Sequence, residues 1–130
     1  MSIEMVDHPK HYVDASVTIE PIDVMDCLPC NYANAFKYVV RAGKKDPNKY
    51  FEDLKKAEWY LERAMIFKDE HCYKYPNKET EVLLKLFAGK SNNIILSNTY
   101  SEVDLSNFWE SFWENLYTSI TEEIKDISIN

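Results

Sequence analysis

Three groups of side chains in this sequence have the types and spacing that binding or catalysis requires. The first is His8, His11 and Tyr12, set around Pro9 and Lys10 near the N-terminus. Two histidines at i,i+3 can pass protons or hydrogen-bond an anion near neutral pH, and would hold a metal only with a third ligand in reach. The second is Asn34, Lys37, Tyr38 and Arg41, followed by Lys44 and Lys45. Offsets of three, four and seven place the first four on one face of a helix. Lysine brings a point charge and arginine a planar fork, the combination that grips phosphate oxygens. Asn34 suits a base edge or a sugar, and Tyr38 offers a ring to stack on. The third is Glu52-Asp53-Leu54-Lys55-Lys56, with Trp59 and Tyr60 a turn later. The plainer alternative for all these lysines is a solvated helix face.

The elements that carry these groups read as helices. Glycine occurs only at positions 43 and 89, too rarely for the turns of an all-β sandwich or barrel. A short helix is expected over Glu20–Leu28, with Pro21 at its first position and Pro29 ending it. A second spans Asn31–Ala42, its apolar stripe Ala33, Phe36, Val39 and Val40, closed by Gly43 as a left-handed cap. The strongest covers Asn48–Asp69 on Phe51, Leu54, Ala57, Leu61, Ala64 and Met65, with a Glu52–Lys56 pair on its outer face. A further helix runs from Glu79 to Ala88, capped by Gly89. Residues 91–98 are either a strand or a buried turn. The last helix, Val103–Ile127, carries Trp109, Phe112, Trp113, Leu116, Ile120, Ile124 and Ile127. The expected fold is therefore all-α: one small helical-bundle domain over residues 1–130 with an extended N-terminal arm over 1–18. Residues 1–66 form its ligand-binding half and 67–130 a divergent helical half.

Composition narrows the function classes. Of the 130 residues, 45% are apolar and eighteen are aromatic, enough for a packed core. No segment reaches the apolar length of a membrane span and no leader is visible, so a cytoplasmic location without membrane partners is expected. The net charge of −7 is uneven: residues 1–34 carry −5, residues 35–68 carry +4, and residues 98–130 carry −6. A confined basic island between acidic ends suits a small anion and makes duplex nucleic acid an unfitting partner. Cys27-Leu28-Pro29-Cys30 has redox spacing but no strand-helix-strand context, so free thiols and no metal are expected.

In order along the chain, Asp7-His8-Pro9-Lys10-His11-Tyr12, Ile22-Asp23-Val24, Asn34-Ala35-Phe36-Lys37-Tyr38, Arg41-Ala42-Gly43-Lys44-Lys45 and the run Glu52 to Arg63 resemble the SaV-like small bacteriophage proteins. The resemblance covers residues 5–66. That family includes a nucleoside monophosphate kinase without a glycine-rich phosphate loop, and this chain likewise has no Gly-x-x-x-x-Gly-Lys-Ser/Thr run. What the resemblance implies is a phage nucleotide-binding protein acting as such a kinase, with ATP or another nucleotide as substrate. Asp53 or His11 would serve as base, and His8, Tyr12, Asn34, Lys37, Tyr38, Arg41, Lys44 and Lys56 as substrate and phosphate ligands. Two other classes stay open: a protein that binds a nucleotide-like signal without turnover, and an acidic anti-defence inhibitor of the anti-CRISPR type. In the latter, Glu110, Glu114, Glu122 and Asp126 would imitate a phosphate track toward a host nucleic-acid-binding protein. The aromatic last helix is expected to join copies into a homo-oligomer through Trp109 or Trp113.

Overall fold

The computed structural model describes residues 19–67 and 76–129. Among them are six α-helices and no strand, as the glycine-poor, periodic sequence predicts. Helix α1 is Pro21–Met25, α2 Cys30–Arg41, α3 Tyr50–Phe67, α4 Lys78–Lys90, α5 Ile94–Ser101 and α6 Phe108–Ile129. The expected arm over residues 1–18 lies outside the described residues, and with it His8, His11 and Tyr12.

Local chemistry explains where the elements begin. Pro21 opens α1, and the Asp23 carboxylate accepts the Glu20 backbone N–H at 2.8 Å. The Asn77 side chain accepts from the Thr80 amide at 2.9 Å to start α4, and that of Asn93 from the Leu96 amide at 3.0 Å to start α5. Single 3-10 turns, Pro47–Lys49 and Leu105–Asn107, lead into α3 and α6. Gly43 ends the turn after α2 at φ +72°, a left-handed backbone that side chains with a Cβ seldom adopt.

The core runs through all six helices. Phe36 and Val39 of α2, Leu54 and Leu61 of α3, Leu84 of α4, Leu96 of α5 and Phe112, Leu116 and Ile120 of α6 are completely shielded from solvent. Helix α3 packs along α2 on one side and α6 on the other. Two tyrosine pins tie α3 to α6: the Tyr50 hydroxyl donates to Glu123 and that of Tyr117 to Glu62, each at 2.7 Å.

Four sequence expectations are corrected. Residues 94–101 form neither a strand nor a turn but α5, where Asn93 supplies a cap that the short apolar run hides. Gly89 does not end its helix, which continues to Lys90. Phe51 is partly exposed at the first turn of α3 instead of joining its buried stripe. The aromatic stripe of α6 does not wait for a second copy. Trp109 and Trp113 are 5% and 2% exposed, and Trp113 packs on Tyr32 with ring centroids 4.3 Å apart. That stripe closes the chain's own core, which removes it as the contact between copies. Both indole N–H groups are buried without a hydrogen-bond acceptor.

Candidate functional site

The C-terminal half of α2 and the middle of α3 meet along a seam, and Tyr38 sits on it. Its ring stacks on Tyr60 of α3 with centroids 5.9 Å apart and planes within 9°. Three cations surround the same ring: the Lys37 ammonium at 4.8 Å from the centroid, the Arg41 guanidinium at 5.1 Å and the Lys56 ammonium at 5.4 Å. Helical spacing supplies the first two, and the α2–α3 packing brings in Lys56 from eighteen residues further on.

Electrostatics makes this grouping unusual. Each cation gains a little from the ring face, about 0.5–1 kcal/mol at an exposed position. Like charges drawn to one ring repel each other. Lys56 shares Glu52 with Lys49, at 3.5 and 4.0 Å. Among the described residues Lys37 and Arg41 have no carboxylate partner. Arg41 also buries its Nε without any acceptor. A buried donor on a charged group that meets no acceptor costs free energy, on the order of 1–3 kcal/mol.

The other expected residues fall around this centre in distinct ways. Asn34 turns its amide back on its own helix, donating to the Cys30 carbonyl at 3.1 Å. Asp53 is buried, 4% exposed, and its carboxylate receives the Gly43 backbone N–H at 3.5 Å. It therefore holds the turn behind Arg41 and is shielded from solvent, which suits a positioning residue more than a base. Lys44 is exposed and lines a neighbouring cleft of about 220 Å³ with Val39, Tyr50 and Asn93. The Tyr38 ring, surrounded by three cations and Tyr60, is not a free stacking surface. Cys27 and Cys30 are exposed free thiols at the α1–α2 junction.

Trp59, Tyr60 and Arg63 stand outside the residues expected to form the site, although the sequence places the two aromatics a turn after Lys56. Trp59 stands 55% exposed with its ring edge-on to Tyr60, centroids 5.1 Å apart. The Arg63 guanidinium lies 6.0 Å from the Trp59 centroid. A tryptophan three residues after Lys56 and four before Arg63 was the available signal.

A second cleft, of about 460 Å³, lies between α5 and α6. Asn98, Asn115, Glu102, Glu122, Glu123 and Asp126 give it a polar, acidic lining, opposite in sign to the Tyr38 cluster. No helix among the described residues is long and apolar enough to cross a membrane.

Residues 6–62 match the model of a family described as a protein of unknown function, DUF3310. The match takes in α1, α2 and α3 as far as Glu62, and so holds the Tyr38 cluster. No curated protein and no solved structure matches the chain.

Proposed function

We propose that this chain binds a nucleotide, with its phosphate held by Lys37, Arg41 and Lys56 at the Tyr38 ring. The observation that carries the reading is the three-cation cluster itself, in which Lys37 and Arg41 have no carboxylate partner among the described residues. The positive segment that supplies it is bounded by acidic ones, which favours a compact anion over a long duplex. The likeness of residues 5–66 to SaV-like phage proteins supports the same ligand class and a setting in the host cytoplasm. It also supports the finer reading of a nucleoside monophosphate kinase without a phosphate loop, in which catalysis rests on charge and positioning with ATP or another nucleotide as donor. The same likeness assigns His8, His11 and Tyr12 to the ligand.

Thermal denaturation across a panel of nucleoside mono-, di- and triphosphates tests the binding reading. A ligand that binds the folded chain raises its melting temperature by mass action, by about 2.7 kcal/mol of stability at a hundredfold excess over Kd. A panel without any shift contradicts it. Incubation of the stabilising monophosphate with ATP separates a kinase, which forms diphosphate, from a protein that binds without turnover.

A second reading has one observation of its own. Glu110, Glu114, Glu122 and Asp126 are all exposed on α6, off its buried stripe. Such a row of carboxylates can imitate phosphates toward a host nucleic-acid-binding protein, and competition with DNA for that protein tests it.

A further inference from the structure

Beyond the Tyr38 cluster, α3 carries a ridge of exposed residues in the order cation, aromatic, cation: Lys56, Trp59, Arg63. Offsets of three and four align them on one helix face. The ridge is continuous with the cluster, because Lys56 belongs to both and the rings of Trp59, Tyr60 and Tyr38 follow one another at 5.1 and 5.9 Å. The acids of α3 near the ridge are engaged. Glu58 pairs with Lys55 at 3.4 Å, Glu62 accepts from Tyr117 at 2.7 Å, and Glu52 pairs with Lys49 and Lys56. Arg63 has no carboxylate partner among the described residues. What faces solvent is a half-exposed ring, 55% accessible, between two cations of the same helix face, with the Arg63 guanidinium 6.0 Å from its centroid and 4.9 Å from that of Phe67.

We propose that Lys56, Trp59 and Arg63 hold a single-stranded oligonucleotide, with a base on Trp59 and the phosphates on either side of that base on Lys56 and Arg63. The proposal rests on the nucleotide reading of the Tyr38 cluster and extends it. Spacing selects the strand. Seven residues of helix separate the two cations by about 10 Å along the axis, more than one phosphate bridges. A free mononucleotide, like a nucleoside triphosphate, carries its phosphate charge on one side of the base only. A strand puts a phosphate on both sides, matching the order of the ridge. Stacking on an exposed tryptophan also requires a base free of its pairing partner, which excludes the duplex. The strand would continue past Lys56 onto Lys37 and Arg41.

The chain's tryptophans make the test direct. Trp109 and Trp113 are buried in the core, so fluorescence quenching by a stacked base reports on Trp59. Three probes are titrated: a short oligothymidylate, thymidine 3′,5′-bisphosphate and thymidine 5′-monophosphate. The oligothymidylate is expected to quench saturably and to bind at least about tenfold tighter than the monophosphate, with affinity falling linearly in log salt. The bisphosphate should fall between them. By titration calorimetry, which does not depend on the Trp59 signal, Trp59→Ala should weaken the oligothymidylate roughly five- to hundredfold, the range for one stacked base, while Trp59→Phe restores part of it. Equal affinity for oligothymidylate and monophosphate overturns the ridge and leaves the nucleotide reading standing. Calorimetric binding of the monophosphate without any fluorescence response to the oligothymidylate does the same. Absence of binding by all three probes overturns both. Conversion of an oligomer to a monomer by Trp59→Ala, without a change in oligothymidylate binding, makes the ridge a contact between copies and overturns the strand.

Discussion

Arg41 and Lys55 are both cations of the basic segment, yet their surroundings differ. Lys55 is matched by Glu58 one turn away, whereas Arg41 shares the Tyr38 ring with Lys37 and Lys56 and has no carboxylate partner among the described residues. Replacing Arg41 by Ala should therefore weaken nucleotide binding by about 1.5–3 kcal/mol, the cost of a charge-assisted hydrogen bond. Lys55→Ala should leave it nearly unchanged, and titration calorimetry that finds equal losses would remove the cluster as the site. The two glycines give a second contrast at this scale. Gly43 needs φ +72°, and a Cβ there would meet Tyr50 Cδ1 at 3.1 Å, while a Cβ on Gly89 meets nothing within 4 Å. Gly43→Ala should cost about 1–2 kcal/mol, and Gly89→Ala should be neutral or stabilising by up to about 1 kcal/mol. Chemical denaturation measures both. The sequence made Gly43 legible because it follows a periodic run directly. It misled at Gly89, where the helix passes through with ordinary dihedrals.

Among the elements, α3 packs against both α2 and α6 and carries Lys56, Trp59 and Arg63. Leu61 lies mid-helix and fully buried, so Leu61→Ala should destabilise the fold by about 2–5 kcal/mol. An unchanged melting temperature would show that α3 is not packed through Leu61. The tyrosine pins give α3 and α6 a pH dependence. The hydrogen bond to Glu62, with burial and the charge of the carboxylate, pushes the Tyr117 hydroxyl up to about 12 from its ordinary 10. Burial and the bond to Glu123 raise Tyr50 as well. A pKa raised by folding means that the stability it contributes is complete below pH 10 and is lost as pH rises through 10 to 12. Melting temperature should thus fall over that window, and less steeply in the Tyr50→Phe/Tyr117→Phe variant. Equal slopes would contradict the pins. Periodicity revealed α2, α3 and α6, because their buried stripes are long. It did not reveal α5, eight residues without a sustained stripe, nor the pairing of Tyr117 with Glu62 across 55 positions.

For the molecule as a whole, the six helices share one core, and the aromatic-rich α6 is consumed by it. Trp113→Glu would place a charge among Tyr32, Trp109 and Phe112, where it has neither water nor partner. The expected outcome is loss of helical circular dichroism, and a folded Trp113→Glu chain would show that the indole is not in the core. The all-α class and single hydrophobic core were readable from composition and spacing. The inward direction of the aromatic stripe was not, since an amphipathic pattern looks the same whether its apolar face meets its own chain or another. The charge asymmetry was equally plain in the sequence, but only folding shows that Lys56 joins Lys37 and Arg41 at one ring. On the proposed reading, this convergence holds a phosphate. It is tested most directly by calorimetric titration of the chain with a nucleoside 5′-monophosphate and, in parallel, with the same nucleoside lacking phosphate. Saturable heat is expected for the monophosphate, diminishing as salt is raised, and none for the nucleoside; equal heats for the two, or none for either, would remove the cluster as a phosphate site.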